Sequence, residues 1–445
     1  MIRLRRARSL TLAPLLLAAG ATHARADDKP LVQPRPPAGE HPAPPPTGDS
    51  APIDYDTERL EPAGFPLLAG NSDIGVEFGG VGTLTRFAHG QRPYIWNVDV
   101  VLAISIKDGP RGAEVAQQNY YAQLDATDIF DTGVRSTSAV YYNRFVDTGW
   151  FGRGNASSAD RPQIVDGSRA RYFQYISREI RLRSFNRVPI AKSLDLMVAP
   201  IVRYFEPEIY PGSRLAEDAA TRDPKGHPLL HGLQPTGIGS MAVGIVVDTR
   251  DNEFFPHTGM FHQIGTRVGQ GVPTGDVQFG GTGAIFVNYF PLPGPFVFST
   301  RIVLDFLYGN PAFYDLYNAG PFNTWEMPGG GSGVRGVPLG RYSGLVKAVG
   351  NAELRFMHAH FKVLGQKFKL GNAGFFDTGR VWDDYTFASP RDGSGLGLKW
   401  GAGVGTYIQW GEAAVFRIDF AYSPDAVAES RSFPFGLYVA DSVAF

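Results

Sequence analysis

Three groups of residues in this 445-residue chain have the types and spacing for chemistry. Residues 327–344, MPGGGSGVRGVPLGRYSG, crowd glycines around one arginine, Arg335, as a phosphate-cradling loop does. Such a loop closes on Lys followed by Ser or Thr and opens a helix, whose N-terminal N–H groups hold the anion. Here that ending is missing and 344–358 alternates like a strand, so nucleotide binding is set aside. Asp248, Arg250, Asp251 and Asn252 could form a carboxylate pair or a calcium corner. Asx residues at a strand end ordinarily cap their own backbone, so turn structure is the reading. His358 and His360 are two apart and share a strand face, which permits a metal pair. No acidic or histidine partner accompanies them, and neither a metal nor another cofactor is expected. No Gly-x-Ser-x-Gly elbow is present, and zero cysteines exclude thiol catalysis, disulfides and sulfur-ligated zinc. The chain does not read as an enzyme.

The surroundings of these residues are built from strands. Phe 31, Tyr 19 and Trp 6 make the chain 13% aromatic, Gly numbers 54, and only 19% is charged, below the roughly 25% of an average soluble domain. Aromatic girdles and crowded interior positions of a membrane barrel have this composition. A net charge of -1 offers no basic face for nucleic acid. Residues 1–26 read as a secretory signal: Arg3, Arg5, Arg6 and Arg8, then an apolar run over 10–22, then Ala24-Arg25-Ala26. Later in the sequence no run approaches the ~18 uncharged apolar residues of a transmembrane helix. Residues 27–66 are proline-rich and predict an extended, disordered periplasmic linker, with the barrel over 67–445.

Period-two alternation dominates from about Ser72. In 295–308, Phe296, Phe298, Ile302, Leu304, Phe306 and Tyr308 share one face, and Ser299, Arg301 and Asp305 the other. In 413–422, Phe416, Ile418, Phe420 and Tyr422 oppose Arg417 and Asp419. One such segment would also suit a soluble sandwich with charges facing water, but their number favours lipid on the apolar side. Fifteen segments read as strands, from 73–84 through 344–358, 367–379, 397–410 and 413–423 to 433–445. Single-chain bacterial barrels have an even count, so the expectation is an all-β, transmembrane antiparallel β-barrel of about 16 strands with the glycine-rich loop folded inward. Tight turns fall at 291–294 and 410–412; the longer interruptions at 148–168, 207–236, 309–343 and 380–396 would be extracellular.

The run 327–344 resembles the loop signature of the BamA/TamA family of outer-membrane assembly and translocation proteins (the bacterial surface antigen type): a glycine cluster, Val-Arg-Gly, then an aromatic. Gly329, Gly330, Gly331, Val334, Arg335 and Gly336 match, while Val337 stands where the aromatic is expected. Asp248, Arg250, Asp251 and Asn252, with Pro256 and Gly259, resemble its strand-turn-strand element. Residues 149–155, GWFGRGN, resemble its aromatic-glycine segment, and 375–379, FFDTG, its Phe-x-Asp-x-Gly strand. The resemblance spans roughly 72–445; the periplasmic POTRA repeats of the family are missing from this sequence. It implies that Arg335 enters the lumen and bonds to Asp377. The face pattern of 344–357 adds Glu353 as a second acceptor. Phe445, at the end of an amphipathic segment, resembles the recognition signal of outer-membrane barrels.

The resemblance further implies non-enzymatic insertion or translocation of proteins or lipids at the outer membrane of a Gram-negative bacterium, with the seam between first and last strands able to open. Outer-membrane lipid, both lipopolysaccharide and phospholipid, is the expected surrounding. Barrel assembly machinery during biogenesis and a protein or lipid client are the expected partners. The alternative is a passive or substrate-selective pore that kept the barrel without the assembly role. A lipid hydrolase would need a nucleophile that the sequence does not offer.

Overall fold

A computed structural model of the chain describes residues 57–445 except 90, 92–93, 110–111, 131, 161–170, 223–225, 254, 273–274, 323, 364–365, 411–413, 427–433 and 441–444. The signal segment and most of the linker lie outside the described residues, as do Gly411, Glu412, Phe433, Asp441 and Val443. Strands β1 (Arg59–Asn71), β2 (Gly75–Phe87), β3 (Trp96–Gly109), β4 (Gly112–Ala126), β5 (Arg135–Gly149), β6 (Gln174–Ala191) and β7 (Leu194–Ile209) precede a short helix, α1 (Arg214–Ala220). Then follow β8 (Thr236–Asp248), β9 (Gly259–Val272), β10 (Gln278–Pro291) and β11 (Phe296–Asn310). A two-stranded ribbon, β12 (Asn318–Ala319) with β13 (Trp325–Glu326), sits inside the long connection that follows. The last five are β14 (Val346–Val363), β15 (Gln366–Trp382), β16 (Lys399–Trp410), β17 (Ala414–Tyr422) and β18 (Phe435–Ala440). All except the ribbon pair antiparallel into one closed barrel of sixteen strands. Among the described residues no helix is long and apolar enough to cross a membrane.

Closure explains the alternation. Along β11, Ile302 is 51% exposed and Tyr308 45%, whereas Ser299 and Asp305 are fully buried. On β17, Phe416, Ile418, Phe420 and Tyr422 point outward while Arg417 and Asp419 are buried. Apolar residues thus cover the outer wall and ionic ones are enclosed, the inverse of a soluble sandwich.

The strand missing from the sequence count is the first. Pro62, Gly64 and Pro66 make 59–66 read as linker, yet 59–71 is a strand, so the barrel begins at Arg59 and not at residue 67. Its prolines are tolerated because of where their missing N–H groups would point. In an antiparallel ladder, alternate residues face alternate neighbours. Ser72 donates its N–H across the seam to Leu437 O at 3.1 Å, and Pro62 and Pro66 share its parity. Both prolines therefore remove donors from the β18 side only, the edge position where proline is permitted.

The described part of the seam is short. β1 is in register with β2 from Arg59↔Phe87 to Asn71↔Gly75, but among the described residues it meets β18 only at Gly70↔Val439 and Asn71↔Tyr438. Elsewhere the ladders run long, as from Phe296↔Phe356 to Phe306↔Val346.

A charge on the outer wall tests its orientation. Ile302→Arg is expected to cost about 2–4 kcal/mol of unfolding free energy in a bilayer, the scale for a cation at mid-membrane. Reversible urea unfolding in lipid vesicles measures it, and a neutral effect would contradict the outward placement of this residue.

Candidate functional site

The residues of 327–344 are almost all buried, and their tip meets the inward face of six strands, β11 and β14–β18. Arg335 is 1% exposed. Its Nε donates to Asp377 Oδ2 at 2.7 Å and its Nη2 to Asp377 Oδ1 at 3.1 Å, a two-pronged pair completed by its backbone N–H at 3.1 Å to Oδ2. Nη1 donates to Glu353 Oε2 at 2.9 Å and to Asp419 Oδ2 at 3.0 Å. Below the guanidinium lies the Phe375 ring, 3.3 Å from Cζ to centroid. The planar fork of arginine suits this bidentate, face-stacked position, which a lysine could not fill. Burial alone would lower the Arg335 pKa, but the carboxylates of Asp377, Glu353 and Asp419 overcome it and hold the group well above its ordinary value. The cation is permanent.

Each acid is in turn anchored. Glu353 Oε1 accepts from Arg355 Nε at 2.6 Å and from the Tyr407 hydroxyl at 2.5 Å, so it spans two arginines. Asp377 Oδ1 accepts from Asn351 Nδ2 at 2.9 Å, and the same amide donates to Gly333 O at 2.8 Å. Asp419 pairs with Arg417 at 3.0 Å. On the other side Arg301 Nη2 reaches Ser332 O at 2.5 Å, and Gly336 N–H donates to the Tyr438 hydroxyl at 2.9 Å. Loop and wall approach so closely that two positions exclude any side chain. A Cβ at Gly401 would come within 2.0 Å of Arg335 O, and one at Gly336, where φ is +99°, within 2.9 Å of Ser423 Cβ. Val337, where an aromatic was expected, is fully buried in the apolar cluster of Met327, Val334, Tyr342 and Phe445.

Above this centre the segment 149–155 clamps the returning arm of the loop. Gly154 N–H donates to Ser343 O at 2.7 Å, Ser343 Oγ to Gly152 O at 2.9 Å, and Arg341 Nη1 to Ser157 Oγ at 2.9 Å. Trp150 is fixed from behind by its Nε1 bond to Asp218 at 3.0 Å on α1 and an edge contact with Phe313.

Residues 117–437 match the Omp85 superfamily domain. The chain belongs to the Omp85 superfamily. As such it is an outer-membrane barrel. A crystal structure of BamA from Haemophilus ducreyi lacking POTRA domains 1–3 is 14% identical with a TM-score of 0.52, aligning 87% of this Omp85 chain and 70% of that one. CdiB from Escherichia coli is 13% identical with a TM-score of 0.51, aligning 85% of this chain and 61% of that one. At these identities both likenesses concern the fold. No curated protein matches in sequence.

The other sequence-singled residues of this Omp85 barrel fall into three places. The turn after β8 caps itself: Asp251 Oδ1 accepts the N–H groups of His257 and Thr258 at 2.9 and 3.0 Å, Asn252 Oδ1 that of Phe255 at 2.9 Å. Asp248 pairs with Arg250 at 3.2 Å, and Gly259 turns at φ +98°. The turn presents Phe255, 1% exposed, to Tyr407 at 5.7 Å on the opposite wall. Phe445 leaves the outward row of Phe435, Leu437 and Val439 and is buried, its ring 5.1 Å from the Arg301 guanidinium and 5.5 Å from that of Arg355. His358 and His360 face outward, and His358 bonds Asn372 at 2.8 Å; no metal-holding group of three occurs among the described residues. The sequence reading did not single out Asp419, Tyr438 or Phe375 as contacts of the loop. Asp419 carried a signal, the inward charged row of its strand, and Phe375 shares the face of Asp377 two residues on; Tyr438 was not singled out.

Removing the cation leaves three buried carboxylates facing one another. Arg335→Ala is expected to cost about 3–5 kcal/mol, the scale for breaking a buried ion pair. Arg335→Lys should fall between, keeping the charge without the fork. Urea unfolding in lipid vesicles reads both, and an Arg335→Ala effect below about 0.5 kcal/mol, the surface-substitution range, would contradict this electrostatic account.

Proposed function

We propose that this protein inserts or translocates polypeptide or lipid clients, without enzymatic chemistry, at the outer membrane of a Gram-negative bacterium. The observation that carries the reading is the β1–β18 seam. Strand edges facing lipid leave N–H and C=O groups without water or partner, a cost of several kcal/mol per group. Such an edge is also the template on which another chain adds a strand. The register of β1 turns Leu60, Gly64 and Leu68 toward the seam, between prolines that cannot donate there. An incoming strand would satisfy that edge, and release of the finished client would return it to its short pairing.

The Arg335 centre serves this role as a brace. It ties the loop to β14, β15 and β17, and through Tyr438 to β18, so the wall beside the seam keeps its shape when β1 separates. Asp377 and Glu353 act as its acceptors, and residues 248–259 as a fixed turn closing the opposite mouth. Residues 1–26 act as export signal and the prolines after them as a periplasmic spacer. Phe445 serves recognition by barrel assembly machinery during the protein's own biogenesis. A passive pore is less well supported, because the clamp of 149–155, the Arg335 centre and Phe255 succeed one another through the interior.

The chain has no cysteine, so a disulfide across the seam can be introduced cleanly. With Ser72→Cys and Leu437→Cys, whose backbones already meet at 3.1 Å, the oxidised protein is expected to fail to complement depletion of the wild type. Reductant should restore it, with levels of other outer-membrane proteins as the readout. Full complementation by the oxidised form would refute seam opening, and unchanged outer-membrane protein levels on depletion would refute the assembly role.

A further inference from the structure

Three successive rungs of outward side chains across β4–β7 change character toward the long loops. The first is apolar and exposed, through Val140↔Leu182 and Leu182↔Val202. The second is mostly aromatic, through Tyr120↔Tyr142, Tyr142↔Ile180 and Ile180↔Tyr204, with the Tyr120 and Tyr142 rings stacked at 5.8 Å. The third is polar and charged, through Gln118↔Arg144, Arg144↔Arg178 and Arg178↔Glu206. Apolar, then aromatic, then ionic is the order met in passing from hydrocarbon to headgroups. Beyond the third rung lie the long connections after β5 and β7, on the side that faces outside the cell. The third rung therefore stands at the headgroups of the outer leaflet.

Its two cations are not equivalent. Arg178 Nη1 donates to Glu206 Oε1 at 2.8 Å and its Nη2 to Glu208 Oε2 at 2.9 Å, so this guanidinium is compensated. Arg144, its direct register partner, is half-buried and has no hydrogen-bond or ionic partner among the described residues. Like charges directly opposite one another destabilise a ladder, and the other flank of Arg144 is the neutral Gln118. Among the described residues, the extracellular half of the strands places one further Lys or Arg at an outward position, Arg380, and the carbonyls of Gly395 and Leu396 cap it. We infer that Arg144 docks a phosphate of lipopolysaccharide, whose acyl chains then lie over Tyr142 and Ile180. The unpaired guanidinium selects phosphate; leaflet and valence select its source. The phosphates of lipopolysaccharide are monoesters, which carry about -1.5 to -2 charge at neutral pH and three oxygens for an arginine fork. A phospholipid offers a singly charged diester, offset by an amine in the ethanolamine lipids. The inference rests on placement in a Gram-negative outer membrane and is independent of the seam and of any client.

The full chain in phosphatidylcholine nanodiscs doped with lipid A that bears a photoactivatable acyl chain tests this. Crosslinks are expected in peptides holding Tyr120, Tyr142 and Ile180 at about tenfold the density on the outward face of β16 and β17, a preference of about 1.4 kcal/mol. Arg144→Gln should bring labelling down to that background, and Arg144→Lys should keep part of it. Glu206→Gln removes a carboxylate from the same rung and should raise labelling, a sign that loss of structure would not produce. Even labelling around the barrel, unchanged labelling in Arg144→Gln, lowered labelling in Glu206→Gln, or equal labelling by dephosphorylated lipid A or by phosphatidylglycerol with the same acyl probe would overturn the proposal.

Discussion

A guanidinium held out of water by three carboxylates is the interaction on which the rest of this barrel depends. In the low dielectric of an enclosed interior neither sign of charge is stable alone, and the pairing is worth its desolvation only with near-complete hydrogen bonding. Arg335 meets that condition with five bonds, two of them to Glu353 and Asp419 on strands that are not neighbours. The acids then draw in Arg355, Arg417 and Asn351, so one loop residue organises the inner face from β14 to β17. Glycines at 336 and 401 follow as a consequence, since only bare backbone lets the loop come that near.

This bracing is one-sided. The side chains named in the Arg335 centre come from β11 and β14–β18, and none from β1 or β2. The first strand is held by its long ladder to β2 and, among the described residues, by two register pairs to β18. On the proposed reading, a braced wall beside this edge concentrates opening there, because ladder hydrogen bonds elsewhere would have to break many at a time. Prolines 62 and 66 sharpen the contrast by withholding donors from the seam. The clamp from Gly152 to Ser157 holds the loop through Ser343 and Arg341.

Much of this was legible in the sequence. The outward rows of 296–308 and 416–422 could be read because lipid on one side and enclosed charge on the other impose a strict period of two. The loop arginine stood out from its glycines, and the face of Glu353 followed from alternation. β1 was hidden because its prolines and glycines carry the composition of a linker, and only the parity of a hydrogen bond at Ser72 explains how a strand accommodates them. Asp419 was visible as an inward charge, but its meeting with Arg335 depends on how the barrel brings residues 84 apart together, which no local pattern encodes. Phe445 illustrates the same limit: its segment reads as a continuous outward row, whereas its ring packs between Arg301 and Arg355.

The central claim is that β1 opens more readily on its edge facing β18 than on its edge facing β2. Residue-resolved amide hydrogen exchange of the bilayer-embedded protein tests it most directly. The N–H groups of Leu60, Gly64 and Leu68 point to the seam and should exchange rapidly, while those of Glu61, Ala63 and Leu67 point to β2 and should be protected. Equal protection of both sets would mean that the seam is paired along its length, and the account would fail.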